Sequence, residues 1–165
     1  MWTEEKLDEL LTTPSEALIA DMKQIEGGVT AAKGFQAAGV EAGVKYKNRK
    51  DMALVYSTAP CKVAGTFTTN VVKAAPVLWD KQVVETSAFA QAVVVNSGIA
   101  NACTGKPGMD CCKAEAEHAG KLLNIPADAV LVASTGVIGM QMPVDRLCAG
   151  IDKLVAAIID IVGGN

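Results

Sequence analysis

Hydrophobic and polar positions along the chain follow two rhythms. Residues 92–95 (Ala-Val-Val-Val) and 130–133 (Val-Leu-Val-Ala) are short β-branched apolar runs, the pattern of buried strands. Residues 52–57 read as another strand and residues 63–68 as its antiparallel partner, with Pro60 in the link. Residues 74–79 read as a further strand, and residues 82–90 as an irregular or helical link. A helical period governs residues 111–123, kept slim by Ala114, Ala116 and Ala119. It returns after Pro143, where Leu147, Ile151, Leu154, Val155, Ile158 and Ile159 share a face that ends at Gly163-Gly164. Residues 1–26 form a separate helical arm in this reading. Thr13 is its N-cap, Pro14 takes the first helical position, and Glu16 closes a capping box. Leu18, Met22 and Ile25 give it an apolar face to set against the body or a partner. Gly27-Gly28 divides the arm from the body, residues 27–165. The expected fold class is α/β or α+β.

The strand ends carry the candidate chemistry. The run at 130–133 breaks off into Ser134-Thr135-Gly136, where the strand is expected to stop. Backbone N–H groups claimed by neither ladder nor helix, with the Thr135 hydroxyl beside them, are suited to stabilising a developing oxyanion. The same turn can also simply cap a helix. The run at 92–95 leads into Asn96-Ser97-Gly98-Ile99-Ala100-Asn101-Ala102-Cys103-Thr104-Gly105, small and polar where a surface loop is normally charged. Such residues either satisfy buried backbone groups or line a polar pocket. The glycines at 27–43 match neither G-x-x-x-x-G-K-[ST] nor G-x-G-x-x-G, so hairpins and tight strand ends explain them better than a phosphate cradle. Residues 45–51 read as a charged, solvated turn.

Composition narrows the classes. Half of the 165 residues are hydrophobic but only 4% are aromatic, and the net charge is −3. That gives no electrostatic case for nucleic acid or an anionic membrane, and no apolar stretch reaches membrane-spanning length. The acidic N-terminus lacks the charge of a leader, so the cytoplasm is the expected compartment. Cys61, Cys103, Cys111, Cys112 and Cys148 are an odd set with no C-x-x-C pair, and His118 is the lone histidine. Packed, reduced thiols are expected, with no metal and no bound cofactor. Cys103 with His118 is a conceivable nucleophile and base, but no local motif supports the pair.

Several segments together resemble one family: Gly27-Gly28-Val29-Thr30-Ala31-Ala32-Lys33-Gly34-Phe35, Thr68-Thr69-Asn70 with Ala74-Ala75-Pro76-Val77, residues 96–105, and residues 132–139. In order and spacing they are similar to the N-terminal part of the ornithine acetyltransferases, the bifunctional glutamate N-acetyltransferases of arginine biosynthesis, over residues 27–165. The resemblance implies an αββα-type sandwich of which this chain is the α-chain part. It implies a precursor that cuts itself before an internal threonine, and a β chain whose new N-terminal threonine is the nucleophile. Acetyl passes from N-acetylornithine to glutamate through an acetyl-enzyme; some members also use acetyl-CoA. The assembly implied is α2β2, and the oxyanion-hole Thr-Gly falls on Thr135 and Gly136. Substrate-binding residues are not assigned.

Two departures stand out. Ile99 occupies a position where the family usually has Asn. The self-cleavage segment and its threonine are not in the sequence, so the chain reads as a shortened α chain, inactive alone. A self-cleaving aminopeptidase or amidase of the same architecture is the alternative within enzymes. A catalytically silent binding or assembly module is the alternative outside them. So many apolar residues in one short chain also point to a surface buried by a partner.

Overall fold

The computed structural model describes residues 25–87 and 89–163. In chain order the elements are β1 (Phe35–Val40), β2 (Met52–Lys62), α1 (Ala75–Thr86), β3 (Phe89–Ile99), α2 (Gly105–Leu123), β4 (Val130–Val137) and α3 (Val144–Gly163). The four strands form one sheet in the order β1-β2-β3-β4. The first two junctions are antiparallel and the last, between β3 and β4, is parallel. A parallel neighbour requires a crossover, and α2 supplies it. The helical arm read from the sequence lies, apart from Ile25 and Glu26, outside the described residues.

The two faces of the sheet differ. Met52 and Leu54, Ala92 and Val94, and Val130 and Val132 point to one side. There they pack against Ala116 and Ala119 of α2 and Leu147, Ile151, Leu154, Val155 and Ile158 of α3. α1 joins the same layer, with Ala75 and Trp79 meeting Cys112, Val132 and Met109. Gly150 lets α3 approach the sheet closely, since a Cβ there would strike Met52 Sδ and sit 2.8 Å from Ala42 Cβ. The alternate positions Ala37, Ala53, Val55, Val93, Val95, Leu131 and Ala133 face the other way and are only half-buried. A solvated sheet face normally alternates to polar residues, and this one does not. The described part of the chain is thus a mixed α/β unit of two layers, helices on a sheet, with the second sheet face apolar and open.

The strand and helix predictions at 92–95, 111–123, 130–133 and 143–163 correspond to β3, α2, β4 and α3. Four expectations need correction. Residues 74–79 are not a strand: they open α1, which runs on through the supposed link to Thr86. Pro76 in its first turn pre-sets the helical φ, and Ala75, Trp79 and Val83 recur one turn apart on the inner face. Residues 63–68 are not a strand either, because β2 itself continues through Pro60 to Lys62. The register shifts between Tyr56 and Cys61, and this bulge takes up the proline that lacks a ladder donor. α2 starts at Gly105 rather than 111. In the turn over 45–51, Asp51 is buried rather than solvated. Its carboxylate accepts the backbone N–H groups of Ala42 (2.8 Å) and Val44 (2.7 Å). The backbone N–H groups of Ala42 and Val44 in the glycine-rich turn are therefore already taken by an anion of the chain itself.

Candidate active site

The parallel pair β3–β4 brings the two small-residue stretches side by side. Asn96 pairs with Ser134, Ser97 with Thr135, Gly98 with Gly136 and Ile99 with Val137. The strand therefore does not stop at Ser134, and its backbone there is not wholly unclaimed as the sequence suggested. Beyond Val137 the stretches stay joined, through Ala100 N–H to the Val137 carbonyl (2.9 Å) and Gly139 N–H to the Ala102 carbonyl (2.8 Å). Gly98 (φ 110°) and Gly136 (φ 134°) both adopt backbone that side chains disfavour. A Cβ on Gly136 would run into the Gly98 carbonyl, and one on Gly98 would sit 2.9 Å from Lys45 Cβ. This double-glycine crossing fixes where Thr135 lies.

β4 is an edge strand, so half of its backbone groups face away from the sheet. α1 closes the first part of that edge. Trp79 Nε1 donates to the Val130 carbonyl (2.9 Å), and the Asp80 carboxylate accepts the Val132 N–H (2.9 Å). By the two-residue period of a strand, Ser134 and Gly136 present their N–H groups to the same outer edge. The inward-turned Val137 carbonyl shows that the period survives past Gly136. Thr135 points to the open, apolar sheet face and is exposed, as is Gly136. The corner of face and edge thus carries the Thr135 hydroxyl and the outward N–H groups of Ser134 and Gly136. A cleft of about 400 Å³ runs beside it, lined in part by Thr66, Thr68, Asp80 and Ser134. Partial burial pushes the Asp80 carboxyl up to about 6, against the lowering effect of the Val132 N–H. The Ser134 hydroxyl oxygen is buried and has no partner among the described residues.

Residues 96–105 end differently. Asn101, held at φ 49° and fully buried, donates from Nδ2 to the Gly108 carbonyl (3.0 Å) and to Cys112 Sγ (3.3 Å). Its Oδ1 accepts the Thr104 hydroxyl at 2.7 Å, and its own carbonyl accepts the Ala75 N–H at 3.1 Å. Gly108 makes room, since a Cβ there would collide with Thr104 Oγ1. Asn96 turns back on the same stretch, donating to the Ile99 carbonyl at 3.0 Å. Of the two readings of this stretch, satisfying buried backbone describes Asn96 and Asn101, and the Thr104 hydroxyl fixes the Asn101 side chain. Ile99 is 3% exposed and packs in the main core.

Two other clusters carry no such opening. His118 contacts Asp152 (2.8 Å) and ties α2 to α3. It lies 13 residues along α2 from Gly105, roughly 20 Å at the helical rise, so Cys103 and His118 do not form a pair. Glu115 is fully buried; burial pushes its carboxyl up to about 7, opposed by the Cys111 thiol that donates to it (3.3 Å). Burial, then the Glu115 charge, pushes Cys112 up to about 12 and Cys111 still higher. Both are packed, unreactive thiols. All five cysteines are free. The sequence reading missed Trp79 and Asp80, which close the β4 edge, because nothing local marks a contact spanning more than fifty residues.

Comparison with known proteins fits this arrangement. A family model described as the ArgJ family matches residues 36–162. The arginine biosynthesis bifunctional protein ArgJ of Gloeobacter violaceus is 46% identical over 139 residues, 84% of this chain and 34% of that protein. The same-named protein of Thermotoga neapolitana is 49% identical over 124 residues, 74% of this chain and 31% of that protein. The chain spans about a third of the length of these curated relatives. Among solved structures, the ornithine acetyltransferase of Mycobacterium tuberculosis, complexed with ornithine, aligns with a TM-score of 0.74 at 47% identity. That alignment covers 78% of this chain and 69% of the other. An ArgJ structure from Bacillus halodurans gives a TM-score of 0.74 at 42% identity, covering 78% and 66%. With its body matched nearly end to end in sequence and in fold, this chain belongs to the ArgJ family.

Proposed function

We propose that this chain is the oxyanion-stabilising part of an acyltransferase that moves acetyl from N-acetylornithine to glutamate. The nucleophile in this reading is the N-terminal threonine of a β chain, released when a precursor cuts itself. Its hydroxyl oxygen attacks the acetyl carbonyl carbon of N-acetylornithine. The carbonyl oxygen becomes an oxyanion, the C–N bond then breaks, and ornithine leaves with the proton taken from the threonine. The glutamate amine next attacks the acetyl ester. A second oxyanion forms, the C–O bond breaks, and the threonine hydroxyl recovers its proton. Acetyl-CoA is a second donor by the same route, its C–S bond replacing the C–N bond. Thr135 and Gly136 serve both oxyanions, the first through its hydroxyl and the second through its N–H.

The observation that carries this reading is the β4 edge, closed by Trp79 and Asp80 as far as Val132 and, among the described residues, left open at Ser134 and Gly136. Preorganised donors of this kind are worth most where water is excluded. The apolar sheet face beside Thr135 is where a second sheet would complete the αββα sandwich, and the partner assembly proposed is α2β2. Five free cysteines suit a reducing compartment, the cytoplasm in this proposal, although a maize relative is named chloroplastic.

The test is Thr135→Ala in the complete enzyme. Loss of one donor lowers kcat about 10²- to 10³-fold, or about 3–4 kcal/mol, with little change in KM. Thr135→Ser, which keeps a hydroxyl, restores most of the rate. An unchanged kcat in the alanine variant overturns the assignment.

A further inference from the structure

The loop between β1 and β2 faces α3 across a cleft of about 600 Å³, and its walls are basic. Lys45 and Lys47 come from the loop, Arg146 and Lys153 from α3. In a chain of net charge −3, four of the fifteen Lys and Arg side chains line one opening. Glu41 is the one carboxylate in the lining, and it accepts the Asn48 N–H (2.6 Å). The nearby Asp51 carboxylate is buried and taken by two backbone amides.

Two of these cations are held but not neutralised. Arg146 donates to the Gly43 carbonyl and Lys153 to the Glu41 carbonyl, each at 3.1 Å. A neutral acceptor fixes a head group without cancelling its charge, and the Arg146 guanidinium keeps further N–H donors for a ligand. Three lysines elsewhere behave differently. Lys81, Lys106 and Lys113 each pair with a carboxylate one helical turn away. Among the described residues, none of the four cleft cations has a carboxylate partner within 4.0 Å. The positive field reaches Tyr46, whose phenol is lowered by hydrogen bonding to Lys45 and by the Lys45 and Arg49 charges.

We propose that this cleft binds a small ligand bearing a diphosphate. Four cations against Glu41 leave a net charge of +3 in the lining. A diphosphate or nucleoside diphosphate carries about −3 at neutral pH. Cations drawn from both walls match a group with several charged oxygens better than they match a single carboxylate. Lys45 also abuts Gly98, which pairs with Gly136, so the ligand would lie next to the strand junction described above. Binding here does not depend on the acyl-transfer reading, because it is measured directly.

The experiment is calorimetric titration of the chain with inorganic pyrophosphate and with ADP, both without magnesium, at low and at moderate salt. Saturable binding is expected, weakening as salt rises. Lys45→Gln with Lys47→Gln raises Kd about tenfold or more, whereas Lys81→Gln with Lys113→Gln leaves it unchanged. Pyrophosphate also protects Lys45 and Lys47 from amine acylation, which maps the site without any substitution. ADP binding tighter than pyrophosphate identifies a nucleotide as the source, and equal affinity identifies the diphosphate alone. Absence of saturable binding overturns the proposal, as does binding that neither the double variant nor the acylation map places in the cleft.

Discussion

Two stretches that look alike in sequence lie next to each other in the sheet and are finished in opposite ways. Residues 96–105 and the stretch from Ser134 to Gly136 each follow an apolar run with small, polar residues. The first closes on itself: Asn101 uses its amide, its side-chain oxygen and its backbone carbonyl on four partners inside the fold. The second is closed only as far as Val132, and Thr135 and Gly136 remain exposed. A satisfied polar knot fixes geometry and offers nothing to a substrate. An open donor held by a neighbour that cannot move can offer itself. The comparison teaches that composition does not separate the two roles, whereas an account of which backbone groups remain unpaired does.

The largest test of that contrast is Gly136→Ala. The new Cβ collides with the Gly98 backbone at a φ that alanine disfavours. A loss of about 4 kcal/mol in denaturant-measured stability is expected, together with loss of activity. Thr135→Ala, next in size, should separate these effects, removing most of the rate while shifting stability by no more than about 0.5 kcal/mol. If both variants simply unfold the protein, the open end is structural after all.

A third test uses pH. The Glu115 carboxyl sits at about 7 in the fold against an ordinary 4.5, so between those values the folded state holds more protons than the unfolded. Stability contributed by the neutral acid is present below about 4.5 and is lost as pH rises through about 7. The total loss is of the order of 3 kcal/mol. Glu115→Gln should flatten that part of the stability–pH curve. An unaltered curve would show that Glu115 is not what titrates.

The smallest expected effect belongs to the closed stretch. Asn101→Ala leaves the Thr104 hydroxyl and the Gly108 carbonyl without their partner, at a cost of about 2–3 kcal/mol. The variant should retain kcat wherever it still folds, measured in the complete enzyme. A large fall in kcat at unchanged stability would place Asn101 in the chemistry and erase the contrast.

Much of this arrangement could be read in advance, for physical reasons. The buried strands β3 and β4 announce themselves because a run such as Val93-Val94-Val95 has few other uses. α2 and α3 were legible from their period. α1 was misread because Val77-Leu78-Trp79 is short and apolar, while the face that makes it helical includes Ala75 and Val83. β2 was cut short because a proline normally ends a strand, and only pairing with β3 reveals the bulge. The decisive features of the site were hidden for a different reason. The Gly98–Gly136 crossing and the Asp80–Val132 bond join residues 38 and 52 positions apart. Residue type at either end carries no trace of the other.

The open sheet face has a thermodynamic consequence. Seven half-buried apolar side chains on one side of the sheet leave part of the hydrophobic driving force unrealised while that side meets water. Any surface that covers them adds its binding free energy to folding, so the melting temperature becomes a function of concentration rather than a constant of the sequence. The uncovered chain draws its stability from the helix-covered side of the sheet alone, and a partner that covered the other side would raise it.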